Sequence, residues 1–232
     1  MSLRERVLEA AGGRRWATLR HFTGHLMLNG SLVEPLARGQ SLKEIVAEGN
    51  LVRRSIRISG FSEGGAWGFS PEFVTIQRHD GAFVGAGRAA APRVFESPKD
   101  EPEMVYLCGL SIWNCMTAPA GLLGLGAQTE ELGAWSEHGE TWERMKVTAP
   151  EGALAYSREA VMYFGEDGLI RRTDFDVQCG QLLRLTDYAS AHQAFSGVTM
   201  PTLHRIVSRE APDGGRHSPP LLDMEVFDAV FD

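Results

Sequence analysis

Three sets of side chains in this 232-residue chain could do chemistry. Arg172, Asp174 and Asp176 alternate along one predicted strand, with Arg171, Thr173 and Phe175 on its other face. Turned into an apolar hollow, Arg172 would hold an anion or a carbonyl. Asp174 would then act as acid or base, because burial lifts a carboxylate pKa toward neutrality. Turned outward, the same residues make a cross-strand salt-bridge ladder. A one-residue register change exchanges the two outcomes. Tyr188 and His192 close the next strand beside Asp187 and form a set able to move protons, or one that ties a strand end to a loop. His25 shares a face with Thr23, Met27 and Asn29, a mixture that suits either a pocket or water.

The third set lies on a helix. Positions 106, 110, 113, 114 and 117 fall on one stripe at spacings of three and four. Tyr106, Trp113, Asn114 and Thr117 therefore face the same neighbour. An asparagine among aromatics needs a hydrogen-bond partner or forfeits about 1–3 kcal/mol. A strand carbonyl, or a ligand carbonyl or hydroxyl, would serve.

The elements that must position these residues are mostly strands. Phe22–Asn29 alternates, and Asn29-Gly30 is a strong two-residue turn signal. Leu51–Phe61, Trp67–Phe69, Phe73–Gln77 and Ala82–Arg88 follow, with Leu42–Ala47 ambiguous. Ala89–Asp100 reads as a loop, and Asp100 opens a helix over Glu103–Leu123 with Pro102 in its first turn. Strands are predicted at Glu130–Trp135, Thr141–Thr148, Glu159–Phe164, Leu169–Val177, Leu182–Ser190, Thr199–Ser208 and Leu222–Phe231. The total is about ten to twelve, as in a large antiparallel sandwich or partial barrel. Leu3, Val7, Leu8 and Ala11 mark one face of a short N-terminal helix ended by Gly12-Gly13. The fold class read from this pattern is mainly β: a large curved antiparallel sheet with a central lid helix, one domain over residues 1–232.

Composition excludes several functions. A net charge of −7 argues against nucleic acid, whose phosphates demand a clustered basic surface. Cys108, Cys115 and Cys179 have no metal-ligand spacing; among the seven histidines His21 and His25 are four apart, the zinc spacing for a helix, but their segment reads as the exit of a helix into a strand. No metal or cofactor is expected. The glycines of Gly121–Gly126 follow a helix rather than a strand, so they are not a dinucleotide loop. No apolar run is long enough to span a membrane, and Met1–Arg15 does not read as a signal peptide. A cytoplasmic protein is expected.

This order of elements resembles the half-barrel of the LolA/LolB lipoprotein carriers, in which a curved sheet wraps a helical lid and shelters acyl chains. The violacein-pathway enzyme VioE is a cytoplasmic relative in fold. A Tyr-x-x-Gly-x-x-x-Trp-Asn helix (Tyr106 to Asn114) and a Gly-Leu-x-Arg-Arg-x-Asp strand (Gly168 to Asp174) also resemble those of a group of bacterial proteins. The resemblance implies a hollow that takes an apolar molecule.

The first functional expectation is a cofactor-free enzyme that cyclises, isomerises or rearranges an aromatic or polyketide-like substrate. Arg172 would bind it, Asp174 or His192 would move the proton, and Tyr106, Trp113 and Asn114 would wall it in. The second is a non-catalytic carrier of a lipid or other apolar ligand, whose cavity holds no convergent ionisable groups. The third is an interaction protein that pairs sheet edges with a partner or forms a homodimer.

Overall fold

The computed structural model describes residues 1–34, 42–61, 64–86, 100–179, 181–211 and 218–232. Most of the loop read at Ala89–Asp100, together with Gly87 and Arg88, lies outside the described residues.

Fourteen antiparallel strands form one open curved sheet. The first six are β1 (His21–Asn29), β2 (Ile45–Asn50), β3 (Ser55–Ser59), β4 (Ala66–Phe69), β5 (Val74–Gln77) and β6 (Phe83–Ala86). The rest are β7 (Gln128–Glu131), β8 (Trp135–Glu137), β9 (Glu140–Thr148), β10 (Glu159–Phe164), β11 (Ile170–Cys179), β12 (Gln181–Phe195), β13 (Val198–Ser208) and β14 (Leu222–Phe231). Strand β1 pairs with β14 at the centre of the sheet. The order runs outward from there to β6 at one edge and to β9 and β7 at the other, with β8 attached to β9.

That order dictates a crossing. The chain leaves the sheet at one edge, after β6, and re-enters at the other, with β7. Helices α2 (Glu101–Thr117) and α3 (Ala120–Gly124) make the passage. As predicted, Asp100 caps α2 and accepts from the Glu103 N–H at 3.0 Å. At 1.5 Å per residue the 17 residues of α2 span about 26 Å. A helix with one polar face would lie on a surface, but α2 buries 12 of its 17 residues and is apolar nearly all round. It meets β1, β3, β4, β5 and β13, and shares one core with Phe22 and Leu26 of β1, Ile58 of β3, Phe69 of β4, Phe175 of β11 and Ile206 of β13. Contact with strands from both halves of the sheet puts it inside the hollow.

The helix predicted over Glu103–Leu123 is broken by the Ala118–Pro119 peptide, which is cis. A second core region joins α1 (Leu3–Ala10) and Leu123 of α3 to Met145, Val147, Met162 and Phe164. Leu3, Val7 and Ala11 of the predicted N-terminal face are buried.

The strand count exceeds ten to twelve for two reasons. Residues 45–50, which overlap the ambiguous Leu42–Ala47 and run beyond it, form β2. The run predicted as Glu130–Trp135 is two strands, β7 and β8, which pair with different parts of β9. Val52, expected on a strand, is 61% exposed in the β2–β3 turn, whereas Ile56 and Ile58 are buried as predicted.

Gly109 is where α2 lies closest to the sheet. A Cβ there would sit 2.3 Å from Phe69 Cγ and 2.4 Å from its Cβ, too near the backbone for the ring to swing clear. Alanine is otherwise the better helix former by about 1 kcal/mol, yet overpacking a core costs about 1–3 kcal/mol. Gly109→Ala is therefore expected to destabilise the protein, with a lower urea midpoint at an unchanged slope; a raised midpoint would refute the close contact.

Candidate functional site

A large cavity lies at the end of the hollow, where α2 stops. It measures about 1090 Å³. One wall is the last turn of α2 (Trp113, Asn114, Thr117) with Gly121, Leu122 and Leu125 beyond it. The facing wall is α1 and the 3-10 turn at Gly13–Thr18, through Leu8, Trp16 and Leu19. Leu51, Val52 and Leu154 close the side. Between α2 and the middle of the sheet the space is packed rather than hollow, as the contacts of Phe22, Phe69 and Gly109 require.

Three of the four predicted helix residues border this cleft. Trp113 is buried with its ring 6.4 Å from Phe22. The Asn114 amide donates to the Leu110 carbonyl at 2.8 Å, and the Thr117 hydroxyl donates to the Trp113 carbonyl at 2.7 Å. Asn114 thus takes its partner from its own helix, neither from a strand nor by need from a ligand. Tyr106 borders a second pocket of about 490 Å³, with its ring edge-on to Phe69 at 5.4 Å and its hydroxyl pKa raised by burial.

The remaining predicted residues lie elsewhere. His25 is exposed between buried Gly24 and Leu26, on the outer face of β1. Arg172 and Asp174 also point outward, because Phe175 between Asp174 and Asp176 enters the inner core. The outward branch of the sequence reading holds, with one addition. The β8–β9 hairpin, turned by His138 (φ +51°) and Gly139 (φ +85°) as a type I′ turn requires, folds over them. Its Glu137 bonds Arg172 and accepts from the Tyr188 hydroxyl at 3.0 Å. Arg172 grips Asp174 at 2.7 and 2.9 Å, and its guanidinium lies 5.0 and 5.5 Å from the rings of Tyr163 and Tyr188. Asp174 also accepts from Tyr163 at 2.9 Å and Thr186 at 2.7 Å.

These contacts decide the electrostatics. Burial alone would raise the Asp174 pKa. The Arg172 bonds and charge, with Thr186 and Tyr163, outweigh it and hold the carboxyl below its usual range. Burial of Glu137 is likewise overcome by the Trp135 bond and the Arg172 charge. A carboxylate held this firmly is a structural anion, not a base poised near neutrality. His192 lies on the same outer side, in a groove shared with Tyr188 and Arg205. Burial, aided by the Arg171 charge, pushes its pKa down to about 4. Arg172, Asp174 and His192 therefore do not converge on the cleft.

The cleft residues that sequence reading left unassigned are Trp16, Leu154 and Arg54. Trp16 stands just after Gly12-Gly13, where a turn into the core was visible, but nothing local marked it as a cavity wall.

A LolA superfamily protein from Nitrosomonas europaea superposes with a TM-score of 0.58 over 100% of this chain and 94% of its own, at 10% identity. The fold is LolA-like. An outer membrane lipoprotein-sorting protein domain from Vibrio parahaemolyticus matches with a TM-score of 0.56 over 99% of this chain and 93% of its own, at 9% identity. A DUF1329 family protein from Desulfovibrio piger reaches 0.50 over 99% and 92%, at 10% identity. No family model and no curated protein matches the sequence. In LolA-like terms α2 is the element wrapped by the sheet. No helix among the described residues is long and apolar enough to cross a membrane.

Two expectations test the outer cluster. Removing one partner of a buried ion pair costs about 3–5 kcal/mol, so Asp174→Ala is expected to lower unfolding free energy by that order while ligand affinity of the folded fraction is kept. Loss of binding with unchanged stability would instead make Asp174 a site residue. For pH, the depressed carboxylates stabilise the fold above their unfolded pKa, and that stability disappears as acid protonates them. His192 is destabilising at lower pH, since the unfolded chain takes up its proton near 6.5 and the native one only near 4. Stability measured between pH 6.5 and 4 should therefore fall less steeply in His192→Gln than in the parent; parallel curves would refute the buried neutral imidazole.

Proposed function

We propose that this chain binds an apolar or amphipathic small molecule in the cleft at the C-terminal end of α2. The observation that carries the reading is the pairing of a large apolar wall with the lack of any polar demand on the inside. Trp16, Trp113, Leu8, Leu122 and Leu154 line it, while Asn114 and Thr117 are already bonded to carbonyls of their own helix. A volume of about 1090 Å³ sits at the upper end of the range for ligand pockets. Of the charged groups bordering it, Glu5, Glu9, Arg14 and Arg20 are exposed and stand at the rim, and the half-buried Arg54 is bonded to the Gly152 carbonyl. An amphipathic ligand would place its tail against the tryptophans and its head group among these charges. The Vibrio domain's name, a lipoprotein-sorting protein, is consistent with cargo of this kind.

Catalysis, the other reading, asks for ionisable groups that converge inside the cleft. Arg172, Asp174 and His192 lie on the opposite face of the sheet, so none of these three would meet a ligand bound in the cleft. Binding is the simpler function of this geometry.

The test is displacement of a fluorescent fatty acid from delipidated protein, followed also by tryptophan emission. Saturable binding at one site per chain is expected. Leu125 borders the cleft and is 56% exposed, so Leu125→Glu should fold normally and bind about tenfold more weakly, equivalent to roughly 1.4 kcal/mol. Binding that never saturates, or that ignores this substitution, would remove the cleft from consideration.

A further inference from the structure

Behind α2, away from the cleft, the packed core holds one group of polar side chains that the fold assembles from distant parts of the chain. Cys115 comes from α2, Asp187 from β12 and His204 from β13. Their relative exposures are 2%, 7% and 7%, so all three are more than nine-tenths buried. Strand pairing sets Ala189 opposite His204 and Asp187 opposite Ile206, which puts Asp187 and His204 on the same inward face, diagonal to one another. The potential ligating atoms of the three residues all lie within 4.8 Å of one another.

The group is under-satisfied as it stands. Asp187 Oδ2 and His204 Nδ1 meet at 3.0 Å. Asp187 Oδ1 and the hydroxyl of Ser111, one helical turn before Cys115 on the same face, are buried with no hydrogen-bond partner, and His204 Nε2 has none but the Cys115 thiol beside it. Buried polar atoms are almost always paired, and several orphans at one spot call for an unrecorded partner.

We propose that Cys115, Asp187 and His204 form a buried binding site for a zinc-like divalent metal ion. Thiolate, imidazole and carboxylate are the zinc ligand set, and sulfur with nitrogen disfavours magnesium or calcium. The 3.0 Å contact between Asp187 Oδ2 and His204 Nδ1 orients the ring as a carboxylate orients a ligating histidine, and leaves His204 Nε2 and Asp187 Oδ1 to take the ion. Cys115 closes the remaining distance by side-chain rotation. Charges also balance: a divalent cation with one thiolate, one carboxylate and a neutral imidazole sums to zero, as a low-dielectric core demands. Three protein ligands leave a fourth position. Tyr156, which lines the 490 Å³ pocket, reaches Cys115 from that side, with its hydroxyl 3.5 Å from the Ser111 carbonyl.

The test titrates metal-stripped full-length protein with Co²⁺ and then with Zn²⁺. One Co²⁺ per chain is expected, with a thiolate-to-cobalt charge-transfer band in the near ultraviolet that Zn²⁺ abolishes, and with a higher melting temperature for the zinc form. Cys108→Ser/Cys179→Ser should keep the band, because Cys115 alone supplies the sulfur. Cys115→Ser should lose it, and His204→Gln should weaken binding by at least about tenfold. A parent protein that binds no cobalt, or gives no thiolate band, overturns the proposal even if the variants fail to fold. A band that survives in Cys115→Ser overturns it as well. Fatty-acid binding is read separately, so failure of either proposal leaves the other standing.

Discussion

The crossing of α2 through the hollow is the constraint on which the rest of the structure depends. The sheet opens outward from the β1–β14 pair, so the chain reaches one edge with β6 and must restart at the other with β7. The intervening helix cannot run outside without exposing Leu107, Ile112 and Met116, none of which has solvent access. Inside, it supplies apolar surface to both halves of the sheet and stops the sheet from flattening or closing. At roughly 25 cal/mol per Å² of apolar area removed from water, a helix buried on nearly every side is the largest single source of cohesion here. The close approach to Phe69 at Gly109 and the half-buried Tyr106 both follow from that placement.

The two faces of the sheet solve different problems. The inner face is filled with apolar side chains and needs few polar matches. The outer face beneath the β8–β9 hairpin is polar, and it is stable only because its members satisfy one another. Arg172 has Asp174 and Glu137, and Asp174 has Tyr163 and Thr186 as further donors. An incomplete version of the same cluster would be worse than an apolar one. Such a network fixes the register of β10, β11 and β12, because shifting one strand by a residue would send Asp174 into the core and Phe175 into the network.

Much of the fold was legible in the sequence because it rests on periodicity. Alternation placed Phe22, Gly24, Leu26 and Leu28 on one face, and all four are buried; Leu222–Phe231 forms a strand with the predicted limits. The helix was legible from its stripe and from Asp100. What failed depended on tertiary partners. Residues 45–50 became a strand because β1 and β3 flank them, and β7 separated from β8 because β9 is long enough to pair with both. Of the site, Trp113, Asn114 and Thr117 could be found because helical spacing groups them. The facing of Arg172 and Asp174 could not, because a strand's period is the same whichever side is buried. Cys115, Asp187 and His204 carried no local signal at all: they are neighbours only across a helix and two strands.

The position of the cleft follows from where α2 ends. Proline at 119 cannot extend the helix, and α3 continues for only five residues. The hollow is longer than the helix that fills it. The unfilled end is bounded by whatever the chain supplies nearby, which here is α1, the 3-10 turn and Trp16. The shape of that end is therefore set by the segment from Leu8 to Leu19 together with Leu51, Val52 and Leu154. Within the segment Ala11 and Leu19 belong to the buried core, whereas Leu8 and Trp16, like Leu51 and Leu154, are only partly covered and Val52 is exposed. Substitutions at those five positions can reshape the cleft while leaving the buried helix as it is.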